Sequence, residues 1–256
     1  MRGEVCVGTA TVLSLVSMIL MVFVHVGQIN TSVVPRKISM ARVNVSEYSA
    51  ALQISFADPF DDIYTNNASA PLGVKAGLRQ FYEFGLYSHC AYVNSSHGMC
   101  GNLTVGQQYR PYDAIASDMA ANFSLITAAL VSGTTFEDSH YLGQATQAAY
   151  WMLLLGTICA ALALLTGILK NNLTFFVSTL FSIAGSLLLL IGVSIWTVMI
   201  KKSEGVNDIT VGTQSNPWPL GIVVSTGSGL YMTWAAFVCL VVSVVPYMIS
   251  CCTYRG

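Results

Sequence analysis

Four apolar runs without a single Asp, Glu, Lys or Arg, at about residues 7–26, 148–169, 173–200 and 230–249, constrain this chain more than any other feature. About 20 apolar residues cross a hydrocarbon core of roughly 30 Å. Each run is therefore read as a membrane-spanning helix, and the third, being longest, is expected to tilt or to project beyond the bilayer. Composition agrees: 54% of residues are hydrophobic and only 9% charged, against about 25% charged in soluble domains. The 11 Lys and Arg are spread along a chain of net charge −1. A nucleic-acid footprint needs a clustered basic face, so that class of partner is excluded.

The layout is one tetraspan unit over residues 1–256, with a long first loop at about 27–147 and a shorter second loop at about 201–229. Arg2 before an apolar run also resembles a signal peptide, but the run exceeds the 7 to 15 residues of a signal core, which favours an uncleaved first span.

Orientation rests on two signals that disagree. Arg36, Lys37, Arg42, Lys201 and Lys202 lie near spans on the loop side, where the positive-inside rule would not put them. Against this, Asn30, Asn44, Asn67, Asn94, Asn102 and Asn122 all open N-x-[ST] sequons in the first loop. Cys90 and Cys100 lie in the same loop, and disulfides persist in oxidising compartments. The loop chemistry is given precedence, placing both loops outside and both termini in the cytosol.

Within the first loop, Lys37 to Val45 alternates loosely with a phase slip near Ala41-Arg42, the pattern of a bulged strand. Asp58, Asp61 and Asp62 lack the glycine and distal glutamate of a calcium loop and are read as a solvated turn. Phe81 to Val93 and Met99 to Val105 are expected to be two strands bracketing the cysteines. Tyr112 to Val131 carries Ile115, Met119, Phe123, Ile126 and Leu130 at helical spacing, with Asp113 as a candidate cap. Asn66-Asn67-Ala68-Ser69-Ala70-Pro71 is turn chemistry as well, so this part of the first loop is expected to be an irregular excursion, while Lys201 to Gly229, with Asn216-Pro217-Trp218-Pro219 and several glycines, is read as a shorter second outer loop.

The spans carry small residues at close-packing spacing: Gly156, Ala160, Ala163, Gly167, Ser178, Ser182, Gly185 and Gly192. Packing inside a four-helix bundle and lateral self-association both use such faces. Tyr150, Trp151, Trp196, Trp218, Tyr231, Trp234 and Tyr247 near the span ends are expected to anchor in the headgroup layer.

Ion pathways and proton relays mark themselves with intramembrane charge; the runs hold none, so a pump or ion-coupled transporter is not expected. No nucleophile elbow, zinc-protease or phosphate-loop motif occurs, so neither an enzyme, a cofactor nor a small-molecule substrate is expected. His89, Cys90, His97 and Cys100 are ligand types for zinc, but adjacent His89 and Cys90 cannot easily turn to one metal, and a Cys90–Cys100 disulfide is preferred. Cys251 and Cys252, juxtamembrane on the cytosolic side, are acylation candidates.

Gly85-Leu86-Tyr87, followed by Cys90 and Cys100 in a long first loop before three further spans, resembles the claudin-type signature, with tyrosine in place of the family tryptophan. The fourth span, opening Gly229-Leu230-Tyr231-Met232-Thr233-Trp234, is similar to that of the fungal Sur-seven/PalI tetraspans. That resemblance implies an integral-membrane, mainly α fold: four transmembrane helices and a claudin-like first extracellular loop holding a small β-sheet and an amphipathic helix. It also implies a structural plasma-membrane role at the cell cortex, organising eisosome-type domains and supporting endocytosis and wall integrity. The expected partners are membrane lipids and laterally associated membrane-domain proteins. The other branches, accessory to ambient-pH signalling or to calcium influx during mating, are the alternative; the short segment after the last span and Ser88 in place of glycine favour the cortical branch.

Overall fold

The computed structural model describes residues 2–56, 63–168, 172–213 and 216–253. The acidic group Asp58, Asp61 and Asp62 lies outside them, and so do the side chains of Cys251 and Cys252.

In chain order the elements are α1 (Arg2–Val26), α2 (Val33–Arg36), β1 (Ala41–Asn44), α3 (Tyr48–Phe56), β2 (Phe81–Phe84), β3 (His89–Tyr92), β4 (Gly98–Cys100), α4 (Pro111–Asp118), α5 (Ala121–Val131), α6 (Ser139–Ile168) and α7 (Asn172–Ser203). A 3-10 turn at Glu204–Asp208, strands β5 (Thr210–Thr213), β6 (Asn216–Pro219) and β7 (Val223–Thr226), and α8 (Ser228–Thr253) complete the chain. Among the described residues four segments are long and apolar enough to cross a membrane: Cys6–Val26, Ser139–Ile168, Thr174–Asp208 and Ser228–Ile249. Helix α1 packs on α8 and α6, and α7 on α6 and α8, which closes a four-helix ring.

The small residues are used inside that ring. A Cβ on Gly156 would stand 2.8 Å from Leu189, one on Gly192 2.8 Å from Leu153, and one on Gly185 3.0 Å from both Cys159 and Leu240. Ala160, Ala163, Ser178 and Ser182 are also buried. Close helix approach consumes this surface, so it no longer argues for lateral association. What faces outward is bulky: Leu15, Ile158, Leu180, Leu187, Val242 and Ile249 among others.

Above the bundle stands a head built from both loops. Its sheet runs β4-β3-β2-β1-β7, every neighbour antiparallel. The second loop supplies part of it: β7 pairs with β1 from Ala41↔Thr226 to Asn44↔Val223, and β5 pairs with β6 as a separate ribbon. The run Ile222-Val223-Val224-Ser225-Thr226, rich in β-branched residues, carries that strand signal.

Three expectations for the first loop are corrected. Strand β1 keeps an unbroken register with β2, Ala41↔Phe84 to Asn44↔Phe81, so the phase slip marks the strand's start and not a bulge. The second cysteine strand is shorter than Met99 to Val105 and ends at Cys100. The helix over Tyr112 to Val131 is two helices, because Met119 and Ala120 are both extended. The cause is Asp118, drawn into a buried ion pair with Arg79 at 2.8 Å. Nor is Asp113 the N-cap of α4: Arg110 holds that position, Pro111 opens the helix, and Asp113 lies within the first turn, 3.7 Å from Arg110.

The aromatic belt is corrected in part. Trp151, Trp218 and Tyr231 are exposed as interfacial anchors should be, but Tyr150, Trp196 and Tyr247 are buried within the molecule.

Candidate functional site

The signature Gly85-Leu86-Tyr87 forms the turn of the β2–β3 hairpin, closed by the Gly85 amide donating to the Ser88 carbonyl at 2.9 Å. This turn rests on the top of the bundle. A Cβ on Gly85 would lie 2.5 Å from the Gly27 carbonyl oxygen and 2.9 Å from Gln28 Cβ, so only glycine lets the hairpin reach the end of α1. Leu86 is fully buried.

Tyr87 enters the bundle. Its ring meets Tyr150 edge-on at 5.4 Å, and its hydroxyl lies 3.2 Å from His25 Nδ1. His25 Nε2 is 3.1 Å from Thr157 Oγ1, whose own proton goes to the Leu153 carbonyl at 2.7 Å. The network therefore assigns the proton to Nε2, with Nδ1 accepting from Tyr87. A phenol in place of the family indole thus still ties the signature to two spans, α1 and α6.

Gln28, just past α1 and at φ +57°, is the second tie. Its amide nitrogen donates to the Arg36 carbonyl at 2.8 Å and to Glu83 Oε2 at 2.8 Å. Its amide oxygen accepts from the Tyr92 hydroxyl at 3.0 Å. One side chain thus joins the end of a span to β2 and β3, and sequence patterning alone did not single it out.

Cys90 and Cys100 stand opposite each other in the β3–β4 ladder and are joined as a disulfide. This removes both thiolates from the candidate zinc set. His89 stacks on Phe84 with ring centroids 5.7 Å apart, whereas exposed His97 belongs to a turn organised by Asn94, whose Oδ1 accepts from the His97 amide at 2.8 Å. Among the described residues no three His, Cys, Asp or Glu side chains group as metal ligands.

A third tie is aromatic. Phe84 meets Tyr109 edge-on at 5.0 Å, and Tyr109 meets Trp196 of α7 at 5.8 Å. The Tyr109 hydroxyl pairs with Ser203 Oγ at 3.0 Å, and its amide donates to Thr146 Oγ1 at 3.0 Å. All three ties together fix the head to α1, α6 and α7.

The head's own centre is the Arg79–Asp118 pair, with side chains 0% and 1% exposed. Asp118 also accepts from the Tyr82 hydroxyl at 2.9 Å and from the Gly73 amide at 2.7 Å, and Arg79 donates to the Ala70 carbonyl. These bonds are what make a buried ion pair tolerable, although Arg79 Nε is left without a hydrogen-bond partner. It stitches the irregular residues 63–80 to the end of α4, and no spacing rule pointed to it. Burial pushes the Tyr82 phenol up, and Tyr48, paired with Thr127 at 2.6 Å, is raised to about 12 by burial. Both phenols therefore stay neutral. Burial lowers His89 and raises Glu83, the latter opposed by Arg42 and Gln28.

Of the sequon asparagines, Asn30, Asn67, Asn94, Asn102 and Asn122 are exposed on the head, while Asn44 is half-buried in β1 with its side chain bonded to the Ser46 amide at 3.0 Å. Cys6, Cys159 and Cys239 are free and half-buried.

Four membrane-capable helices under a disulfide-bonded antiparallel sheet, with a Gly-Leu-aromatic turn docked on the bundle, define a claudin-like multi-pass membrane protein. The model of the SUR7/PalI family matches residues 6–246, and the chain belongs to that family. No curated protein matches it at a significant level.

Proposed function

We propose that this chain is a structural tetraspan of the plasma membrane, organising cortical domains of the eisosome type and supporting endocytosis and wall integrity. The observation that carries the reading is the triple fastening of the head to the bundle through Tyr87–His25–Thr157, Gln28 and Tyr109–Trp196. A rigid head on a membrane anchor suits a scaffold, and family membership supports the same class.

In this reading the termini are cytosolic and the head faces outward, with glycans on its sequons and acyl groups on Cys251 and Cys252. Because the small-residue faces are spent inside the bundle, lateral contacts with other membrane-domain proteins run through the head and the bulky outer faces of the spans.

The test is live imaging of the fluorescently tagged chain with photobleaching. The expected result is immobile cortical patches that recover little signal. An even, freely recovering distribution would overturn the reading. Loss of an alkaline-pH response on deletion, with patches unchanged, would instead support the signalling branch.

A further inference from the structure

We propose that a basic cavity at the junction of head and bundle binds the phosphate of an anionic headgroup. The cavity measures about 500 Å³ and is lined by Arg36, Lys37 and Arg42 against a single carboxylate, Glu83. Pockets of roughly 300–1,000 Å³ suit small ligands. Its floor is at the membrane end of the head, because Ser228, the first residue of α8, donates to the Lys37 carbonyl at 2.6 Å, and the Gly229 amide donates to the Ser39 carbonyl at 2.8 Å.

The three cations face one carboxylate, which Arg42 alone reaches. Glu83 is shared between Gln28 at 2.8 Å and Arg42 at 3.5 Å. Among the described residues no carboxylate lies within 4 Å of Arg36 or Lys37, whereas Lys201, the other basic cluster's first member, pairs with Glu204 at 2.7 Å. Arg36 reaches across the cavity mouth to the Ser96 carbonyl at 2.8 Å, and the Arg42 guanidinium lies 4.4 Å over the Phe81 ring. These contacts hold both guanidinium groups at the cavity, and Arg36 Nη2 and the Arg42 Nη donors remain for hydrogen bonds to phosphate oxygens.

Exposed apolar residues lie nearby on the same chain segment. Val33 and Val34, 62% and 50% exposed, share the short α2 with Arg36, separated from it by Pro35. Apolar residues beside cations at this level fit an amphiphile, with its phosphate in the cavity and its chains along the spans. The same residues explain why basic side chains sit on the loop side against the positive-inside rule: their counter-charge is the ligand.

The full chain, purified in a neutral detergent, is titrated with short-chain phosphatidylinositol, short-chain phosphatidylcholine and glycerol 3-phosphate, with binding followed by intrinsic fluorescence. The anionic lipid is expected to bind at least about tenfold more tightly than phosphatidylcholine, and Arg36→Gln with Lys37→Gln to remove that preference. Lys201→Gln with Lys202→Gln, which deletes equal charge on the same side, is expected to leave it intact. Ser225→Asp, which places a carboxylate at the cavity wall without touching a basic residue, is the second variant and weakens binding likewise. Displacement of the lipid by glycerol 3-phosphate identifies the phosphate alone as the ligand; failure to displace it identifies the membrane-embedded headgroup. Equal binding of both lipids, or equal loss in both double variants, would overturn the proposal.

Discussion

At the scale of single residues, the signature explains itself by contact distance. Gly85 is required because the hairpin turn presses on the Gly27 carbonyl, and a methyl group there has no room. Gly85→Ala should destabilise the protein by about 1–3 kcal/mol, the usual range for overpacking, read as a lower unfolding temperature in detergent. Gly205→Ala, where nothing lies within 4 Å of the added carbon, should change little. His89 makes a pH-dependent contribution. Burial holds its imidazole below the unfolded value of about 6.5, so the neutral form is favoured in the folded head. That stability is present above about pH 6.5 and is lost as pH falls through the lower folded value. Glu83, raised by burial, acts in the opposite sense, its contribution present in acid and lost as pH rises. His89→Gln should therefore flatten the acid-side fall in unfolding temperature, a result that an unchanged pH profile would contradict.

At the scale of elements, the spans were legible because a period-free apolar run of sufficient length has one membrane solution. Helix α6 nonetheless begins at Ser139, well before the apolar run, because Leu142 and Thr146 are buried against the head. Polar sequence hid this part of a helix whose cause is tertiary. The cysteine strands were visible from their aromatic and β-branched content, but β7 was masked by the glycines and prolines around it. Its pairing with β1 joins residues far apart in sequence, information that no local window holds. The break between α4 and α5 had the same origin: Ile115, Met119 and Phe123 keep helical spacing straight through it, while the Asp118 carboxylate meets Arg79 from another segment. Likewise, Trp196 and Tyr150 looked like interfacial anchors by position, yet each has an aromatic partner in the head.

At the scale of the whole molecule, the head belongs to both loops and to the bundle at once. Topology is the property testable here. N-glycosidase treatment should shift the protein's mobility markedly, with five exposed acceptor sites on the head and Asn44, held within β1, the poorest. No shift would contradict an outward-facing head. The strand order has a further consequence for biosynthesis. Strands β1 to β4 emerge early, but β1 keeps an open edge until Val223–Thr226 arrives just ahead of the last span. Unpaired edges are sticky, and distant pairings form slowly. Closure of the sheet therefore reports that synthesis has passed the third span and reached the threshold of the fourth, making β7 a marker that separates chains arrested earlier from those nearing completion.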